Sequence, residues 1–179
     1  MRYEIRIAGF GGQGVISIGV LLARAAGQFG GLEVAQTQSY GPEARGGACK
    51  TEIILSDGII DYIKPLDLDL LAVMSQAALA AYAGDLQDER GLIVDSSLVT
   101  ETPARFTNVV RVPATEMAEK ELKQPLAANM VMFGALVGIA GHVSAEACKE
   151  ALQNSFSAGA LEKNRAAFDL GYAYRLSGG

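Results

Sequence analysis

Tryptophan is absent from the 179 residues, histidine occurs once and cysteine twice, and each shortage removes a class of chemistry. Cys49 and Cys148 stand far apart with no C-x-x-C spacing, so neither a zinc knuckle nor an iron–sulfur cluster can be assembled from this chain alone. Two reduced thiols in or near the core are expected instead. The single histidine, His142, follows Gly141 at a predicted helix end, where a dipole or surface hydrogen bond is its ordinary role. No G-x-S-x-G turn occurs to partner it, so no self-contained triad is expected, and no metal site needs it. No segment reaches the ~18–20 apolar residues of a membrane span. The charged start Met1-Arg-Tyr-Glu-Ile-Arg6 lacks the apolar run of a signal peptide, which makes a cytoplasmic chain without membrane association the expectation. Positive charge is also scarce. Fifteen Lys plus Arg against twenty Asp plus Glu give a net charge of -5, which argues against a broad basic surface for nucleic acid while leaving room for a local anion pocket.

Apolar residues, by contrast, make up half the chain and charged residues only 20%, a balance that favours a buried core over disorder. The length suits one domain, taken as residues 1–179. Tyr3 to Ala8 reads as a strand that meets glycines. Val15 to Phe29 reads as a helix, with Ile18, Leu21, Leu22 and Ala25 at helical spacing and Gly30-Gly31 as its stop. A second strand is predicted at Leu32 to Thr37, then an irregular loop over Gln38 to Gly47. Ala48 to Leu55, the turn Ser56-Asp57-Gly58 and Ile59 to Ile63 read as a β-hairpin. Asp69 to Met74, Gly91 to Val94 and Val109 to Val112 are short apolar runs suited to a parallel sheet, with an alanine-rich helix at Gln76 to Ala83. Ala114 to Leu122 and then roughly 126–140, 144–154 and 158–174 read as helices. The predicted fold is α/β: a Rossmann-like three-layer domain with a mostly parallel sheet, a β-hairpin insertion and a helical C-terminal third.

Gly9-Phe10-Gly11-Gly12-Gln13-Gly14 satisfies G-x-G-x-x-G between a predicted strand and a predicted helix. Gly9 can make the tight turn, Gly11 can let the backbone approach a bound group, and Gly14 can allow helix and sheet to pack closely. The free N–H groups would then face an anion. The same glycines also serve a compact turn with no ligand at all, and both readings stand. Dinucleotide binding would further need Asp or Glu at the end of the second strand, where Gln36, Thr37 and Gln38 lie instead. Val15 and Ile16 occupy the places where a triphosphate-binding loop needs Lys and Ser or Thr, which excludes nucleotide hydrolysis of that type. Asp95 and Ser96 follow a predicted strand and are as suited to a turn as to chemistry. Gly134 and Gly138 give the segment Ala127 to Gly141 a small-residue face for close packing, within the domain or under a partner subunit. Asn129 interrupts that segment, and one amide there usually satisfies backbone groups.

Four stretches in order, Gly9-Phe-Gly-Gly-Gln-Gly-Val15, Ser39-Tyr-Gly-Pro-Glu-Ala-Arg-Gly-Gly47, the Ser56-Asp57 turn and Lys123-Gln-Pro-Leu-Ala-Ala-Asn129, together resemble the gamma subunit of 2-oxoacid:ferredoxin oxidoreductases, most closely the 2-oxoglutarate type, over nearly the whole chain. The resemblance implies one part of a complex that oxidatively decarboxylates a 2-oxoacid with coenzyme A to acyl-CoA, carbon dioxide and reduced ferredoxin. It implies that alpha and beta subunits hold thiamine diphosphate and Mg²⁺, and that beta or a ferredoxin-like delta subunit holds the iron–sulfur clusters. This chain would hold no cofactor alone; it would pack on the catalytic subunits and help form the coenzyme A approach. Its site residues would then be Gly9, Gly11, Gly12, Gln13 and Gly14 in the turn, and Ser39, Tyr40, Arg45, Gly46, Gly47 and Asn129 at the loop or interface. Arg45 can fork onto a carboxylate or phosphate, or pair locally with Glu43. Tyr40 can offer a flat amphipathic contact or pack within its loop. The residues themselves also allow a stand-alone nucleotide- or CoA-binding protein, or a purely structural assembly domain.

Overall fold

The computed structural model of the chain describes residues 1–40 and 47–176, with side chains described through Tyr174. Strand β1 (Arg2–Phe10) leads into helix α1 (Val15–Arg24), whose last residues widen into a π turn (Ala25–Phe29) before Gly30. Strands β2 (Glu33–Tyr40), β3 (Ala48–Ser56) and β4 (Leu70–Val73) follow, then helix α2 (Gln76–Tyr82) and strands β5 (Gly91–Asp95) and β6 (Val109–Val112). Helix α3 (Ala114–Lys120), a 3₁₀ turn (Pro125–Ala127) and helices α4 (Ala128–Ala140), α5 (Ala145–Gln153) and α6 (Ala158–Leu176) complete the helical C-terminal third.

The strands form one sheet in the order β2-β3-β1-β4-β5-β6. β1, β4, β5 and β6 pair in parallel, while β3 runs antiparallel to both β1 and β2. The predicted α/β layering is present, but the predicted hairpin is not. Ile59 to Ile63 forms no strand, because both edges of β3 are already filled: nine residue pairs join it to β1 and eight to β2. The hairpin that does form is β2–β3. β2 also runs three residues past its predicted end and absorbs Ser39 and Tyr40.

Alternation along the strands sorts the core onto two faces. Ile5, Ile7, Leu70, Ala72 and Ile93 face α1, α4, α5 and α6, whereas Ala8, Leu71, Val73, Leu92 and Val94 face α2 and the side chains of Leu86, Val99 and Phe106. Period-2 burial on both faces is what a covered sheet requires. Helix α4, apolar all round and buried from Met130 to Val137, lies between α3 and α6. An added Cβ at Gly134 would stand 2.0 Å from the Phe168 carbonyl oxygen, and one at Gly171 would stand 1.8 Å from that of Val131. The small face predicted at Gly134 therefore serves α6 of the same chain.

The α2 face of β1 carries a buried guanidinium. Arg6 donates through Nε to Glu52 Oε1 at 2.7 Å, through Nη2 to Asp85 Oδ2 at 2.8 Å and through Nη1 to the Tyr82 carbonyl at 2.9 Å, tying the end of α2 to the sheet. The hydrogen bond from Arg6 holds the Asp85 carboxyl below its ordinary value of 3.8. A folded-state value below the unfolded one contributes stability above pH 3.8 that is lost as the pH falls through the lower folded value. Urea midpoints should accordingly drop on acidification through this range, and Asp85→Asn should flatten the drop. An identical acid profile in the variant would remove this assignment.

Candidate functional site

β1 sends its helix to one face of the sheet and β4 sends α2 to the other. The carboxyl ends of β1 and β4 therefore flank a switch point, the place where an open α/β sheet leaves a crevice. A cavity of about 210 Å³ lies there, lined by Gly12, Gln13, Met74, Leu98, Thr115 and Asn129, among others. The turn and Asn129, named from separate stretches of sequence, thus meet in one wall.

The turn is built by its own side chain. Gln13 Oε1 accepts the N–H of Phe10 at 2.7 Å and Gln13 Nε2 donates to the Met74 carbonyl at 2.8 Å, clamping the ends of β1 and β4 together. A Cβ at Gly9 would press on that clamp, meeting Gln13 Oε1 at 2.6 Å and Val15 Cγ1 at 2.8 Å. The N–H of Gly11 donates to the Gly47 carbonyl at 3.2 Å, so this amide faces the 47–48 chain and not the crevice. Gly12 (φ 100°) and Gly14 (φ 77°) are left-handed, and Gly14 caps α1. Among the described residues, the N–H groups of Gly12, Gly14, Val15, Ile16 and Ser17 have no backbone or side-chain acceptor. That row of donors at a helix start suits an anion. Gly9 and Gln13 therefore shape the turn, while Gly12 and Gly14 present its amides.

Asn129, on the first turn of α4, packs its amide on Gly14, with Nδ2 2.3 Å from where a Cβ would stand. Ser39 and Tyr40 end β2, opposite Lys50 and Cys49 of β3. Tyr40 is 64% exposed at the last position of β2. Gly47 adjoins the turn through its bond to Gly11, whereas Arg45 and Gly46 lie outside the described residues. Because β3 stands between β1 and β2, even a carboxylate at the end of β2 would sit two strand spacings, roughly 9–10 Å, from β1. The topology, as well as the missing acid, removes the ribose contact of a dinucleotide site.

Other polar groups are engaged structurally. Asp95 is fully buried at the end of β5 and accepts from Ser97 N at 3.1 Å, Thr115 N at 3.2 Å and Thr115 Oγ1 at 2.6 Å, joining a turn to the start of α3. His142 packs on the Tyr3 ring, 4.1 Å between centroids, near the other end of β1. Burial pushes the Cys49 thiol up and that of Cys148 to about 12, and the two are unpaired. Among the described residues no group of three His, Cys, Asp or Glu side chains is placed to hold a metal ion, and no helix is long and apolar enough to cross a membrane. Met74, Leu98, Thr115 and Leu126 escaped the sequence reading. Their only signal is a position just beyond the ends of β4, β5 and β6 and on the 3₁₀ turn before α4.

The profile of the pyruvate ferredoxin/flavodoxin oxidoreductase family matches residues 4–174. The chain belongs to this family. Within it, the chain is 47% identical to 2-oxoglutarate synthase subunit KorC of Methanothermobacter marburgensis, covering 99% of both chains, and 44% identical to its counterpart in Methanocaldococcus jannaschii, covering 96% and 93%. Its fold is similar to the gamma subunit of a keto/oxoacid ferredoxin oxidoreductase from Geobacter sulfurreducens, with TM-score 0.88 and 39% identity over 99% and 98% of the two chains. It is also similar to 2-oxoglutarate:ferredoxin oxidoreductase from Magnetococcus marinus, solved with 2-oxoglutarate, coenzyme A and succinyl-CoA bound (TM-score 0.88, 26% identity), where it covers 98% of this chain and 31% of that one. The family domain thus occurs both as a separate chain and as a third of a longer one.

Proposed function

We propose that this chain is the gamma subunit of a 2-oxoglutarate:ferredoxin oxidoreductase, a single-domain component of a cytoplasmic complex that converts a 2-oxoacid and coenzyme A to acyl-CoA, carbon dioxide and reduced ferredoxin. The observation that carries the reading is its 47% identity to a 2-oxoglutarate synthase subunit along the full length of both chains. Two buried cysteines are too few for an iron–sulfur cluster, which supports assigning the clusters to beta or delta companions; thiamine diphosphate and Mg²⁺ are assigned to the alpha and beta subunits.

In this reading the chain supplies shape and backbone donors. The amides of Gly12 and Gly14 and of the first turn of α1 have no acceptor among the described residues and suit a phosphate of coenzyme A. Arg45 is assigned to the same anion, and Tyr40 to the rim. Purified alone, the chain is expected to show no reduction of ferredoxin with 2-oxoglutarate and coenzyme A. Restored to its companion chains, it should complete the activity. Turnover by the lone chain, or failure to associate with larger thiamine-bearing chains, would overturn the proposal.

A further inference from the structure

The crevice differs in chemistry from the glycine turn beside it. Among the described residues its lining has no charged side chain and three polar ones, Gln13, Thr115 and Asn129, set among hydrocarbon from Met74, Leu98 and Leu126. The turn meets an anion with backbone donors, whereas the cavity itself suits a neutral group with an apolar body and a few hydrogen-bonding atoms, the ordinary make-up of a small-molecule pocket.

The pattern of those atoms follows from what each polar side chain has left to offer. Gln13 is used within the fold, its oxygen accepting from the Phe10 N–H and its nitrogen donating to the Met74 carbonyl. Thr115 Oγ1 donates to Asp95 Oδ2 at 2.6 Å, and Asp95, fully buried, also accepts the N–H groups of Ser97 and Thr115. A hydroxyl has one hydrogen. With that hydrogen committed to Asp95, the partly exposed Thr115 has only lone pairs for a ligand. Turning the hydroxyl round would take a donor from a buried carboxyl group, which is costly. The side-chain amide of Asn129 has no hydrogen-bond partner among the described residues, so its two N–H donors and its oxygen remain available.

We propose that Thr115 and Asn129 read a neutral pair of atoms on the bound molecule, Thr115 accepting from an N–H and Asn129 donating to an acceptor next to it. The inference rests on the crevice being the coenzyme A approach of the proposed oxidoreductase. In coenzyme A this pair occurs in the secondary amides of the pantetheine arm and on the amino edge of adenine. The diphosphate lies between the two, so a molecule anchored at the turn can extend either one into the crevice.

The test is steady-state kinetics of the complex reassembled from the chain and its companion subunits. Thr115→Val, Thr115→Ser and Asn129→Leu are compared with wild type, using coenzyme A and its hypoxanthine analogue, in which a carbonyl oxygen replaces the adenine amino group. Thr115→Val should raise the KM for coenzyme A roughly tenfold with kcat at saturation largely retained, and Thr115→Ser, which keeps the hydroxyl, should restore the wild-type value. If the partner is a pantetheine amide, the same rise appears with the analogue. If it is adenine, the analogue raises the KM of wild type and Thr115→Val adds nothing further. Should Thr115→Val fail to fold, Asn129→Leu carries the test, with a rise of the same order expected. An unchanged KM in either folded variant, or Thr115→Ser no better than Thr115→Val, overturns the inference and leaves the proposed function standing. A wild-type complex that makes no use of coenzyme A overturns both.

Discussion

Gly171→Ala is expected to be the most destabilising single-methyl change in this protein. The added Cβ would lie 1.8 Å from the carbonyl oxygen and 2.7 Å from the carbonyl carbon of Val131. Both are backbone atoms of α4, near the end of its first turn, with no side chain free to swing aside. Relief requires α6 to lift off α4, and that would open the contact between the Phe133 and Phe168 rings, whose centroids are 5.1 Å apart. Overpacking of this kind costs about 3 kcal/mol or more, a fall on the order of 10 °C in melting temperature for a chain of this size. The matched control is Gly159→Ala near the start of the same helix, where nothing lies within 4 Å of the added methyl and the gain in helix propensity should leave stability equal or slightly higher. Urea midpoints that fall equally in both variants would mean that close approach of the two backbones is not what α6 depends on.

Gly14→Ala should act on the crevice more than on the fold. The residue caps α1 at φ 77°, a conformation that costs a non-glycine residue about 1–2 kcal/mol. The new methyl would also stand 2.3 Å from Asn129 Nδ2 and 3.0 Å from its Cγ. Unlike the carbonyl facing Gly171, this neighbour is a side-chain tip that can rotate, so Asn129 should yield by swinging into the crevice. In the assembled enzyme the KM for coenzyme A should rise roughly tenfold, the order of change expected when about 1.4 kcal/mol of binding is lost, with kcat at saturation largely retained. A double-mutant cycle isolates the contact, because Asn129→Ala should relieve part of the stability loss caused by Gly14→Ala. Purely additive losses would separate the two residues, and an unchanged KM in a folded Gly14→Ala complex would remove the crevice from coenzyme A binding.

The strand–glycine–helix unit was legible because local rules govern it. Apolar periodicity marks β1 and α1, and left-handed turns at Gly12 and Gly14 call for glycine. The use of Gln13 was not legible. A polar side chain inside a ligand motif reads as a ligand contact, yet this one spans from Phe10 to Met74, and nothing in the local sequence announces that β4 ends beside β1. The hairpin failed for a related reason: Ser56-Asp57-Gly58 has turn chemistry, but a turn makes a hairpin only where the preceding strand has an open edge, and β3 has none. The apolar run Ile59 to Ile63 was visible, while its exposure depends on Glu4 and Arg2, residues some sixty positions away that grip its backbone.

The sequence by itself determined the α/β class, the extent of nearly every element, and a family resemblance that the relatives bear out at 47% identity. These follow from composition, periodicity and short motifs, each contained within a few consecutive residues. The tertiary structure alone decided that β3 separates β1 from β2, that Gly12, Thr115 and Asn129 share one crevice, that Gly171 admits α6 onto α4, and that the 57–69 segment faces outward. Each of these is a meeting of residues distant in the chain, set by which strand edges and helix faces remained available once the core had closed, and that competition is resolved only in three dimensions.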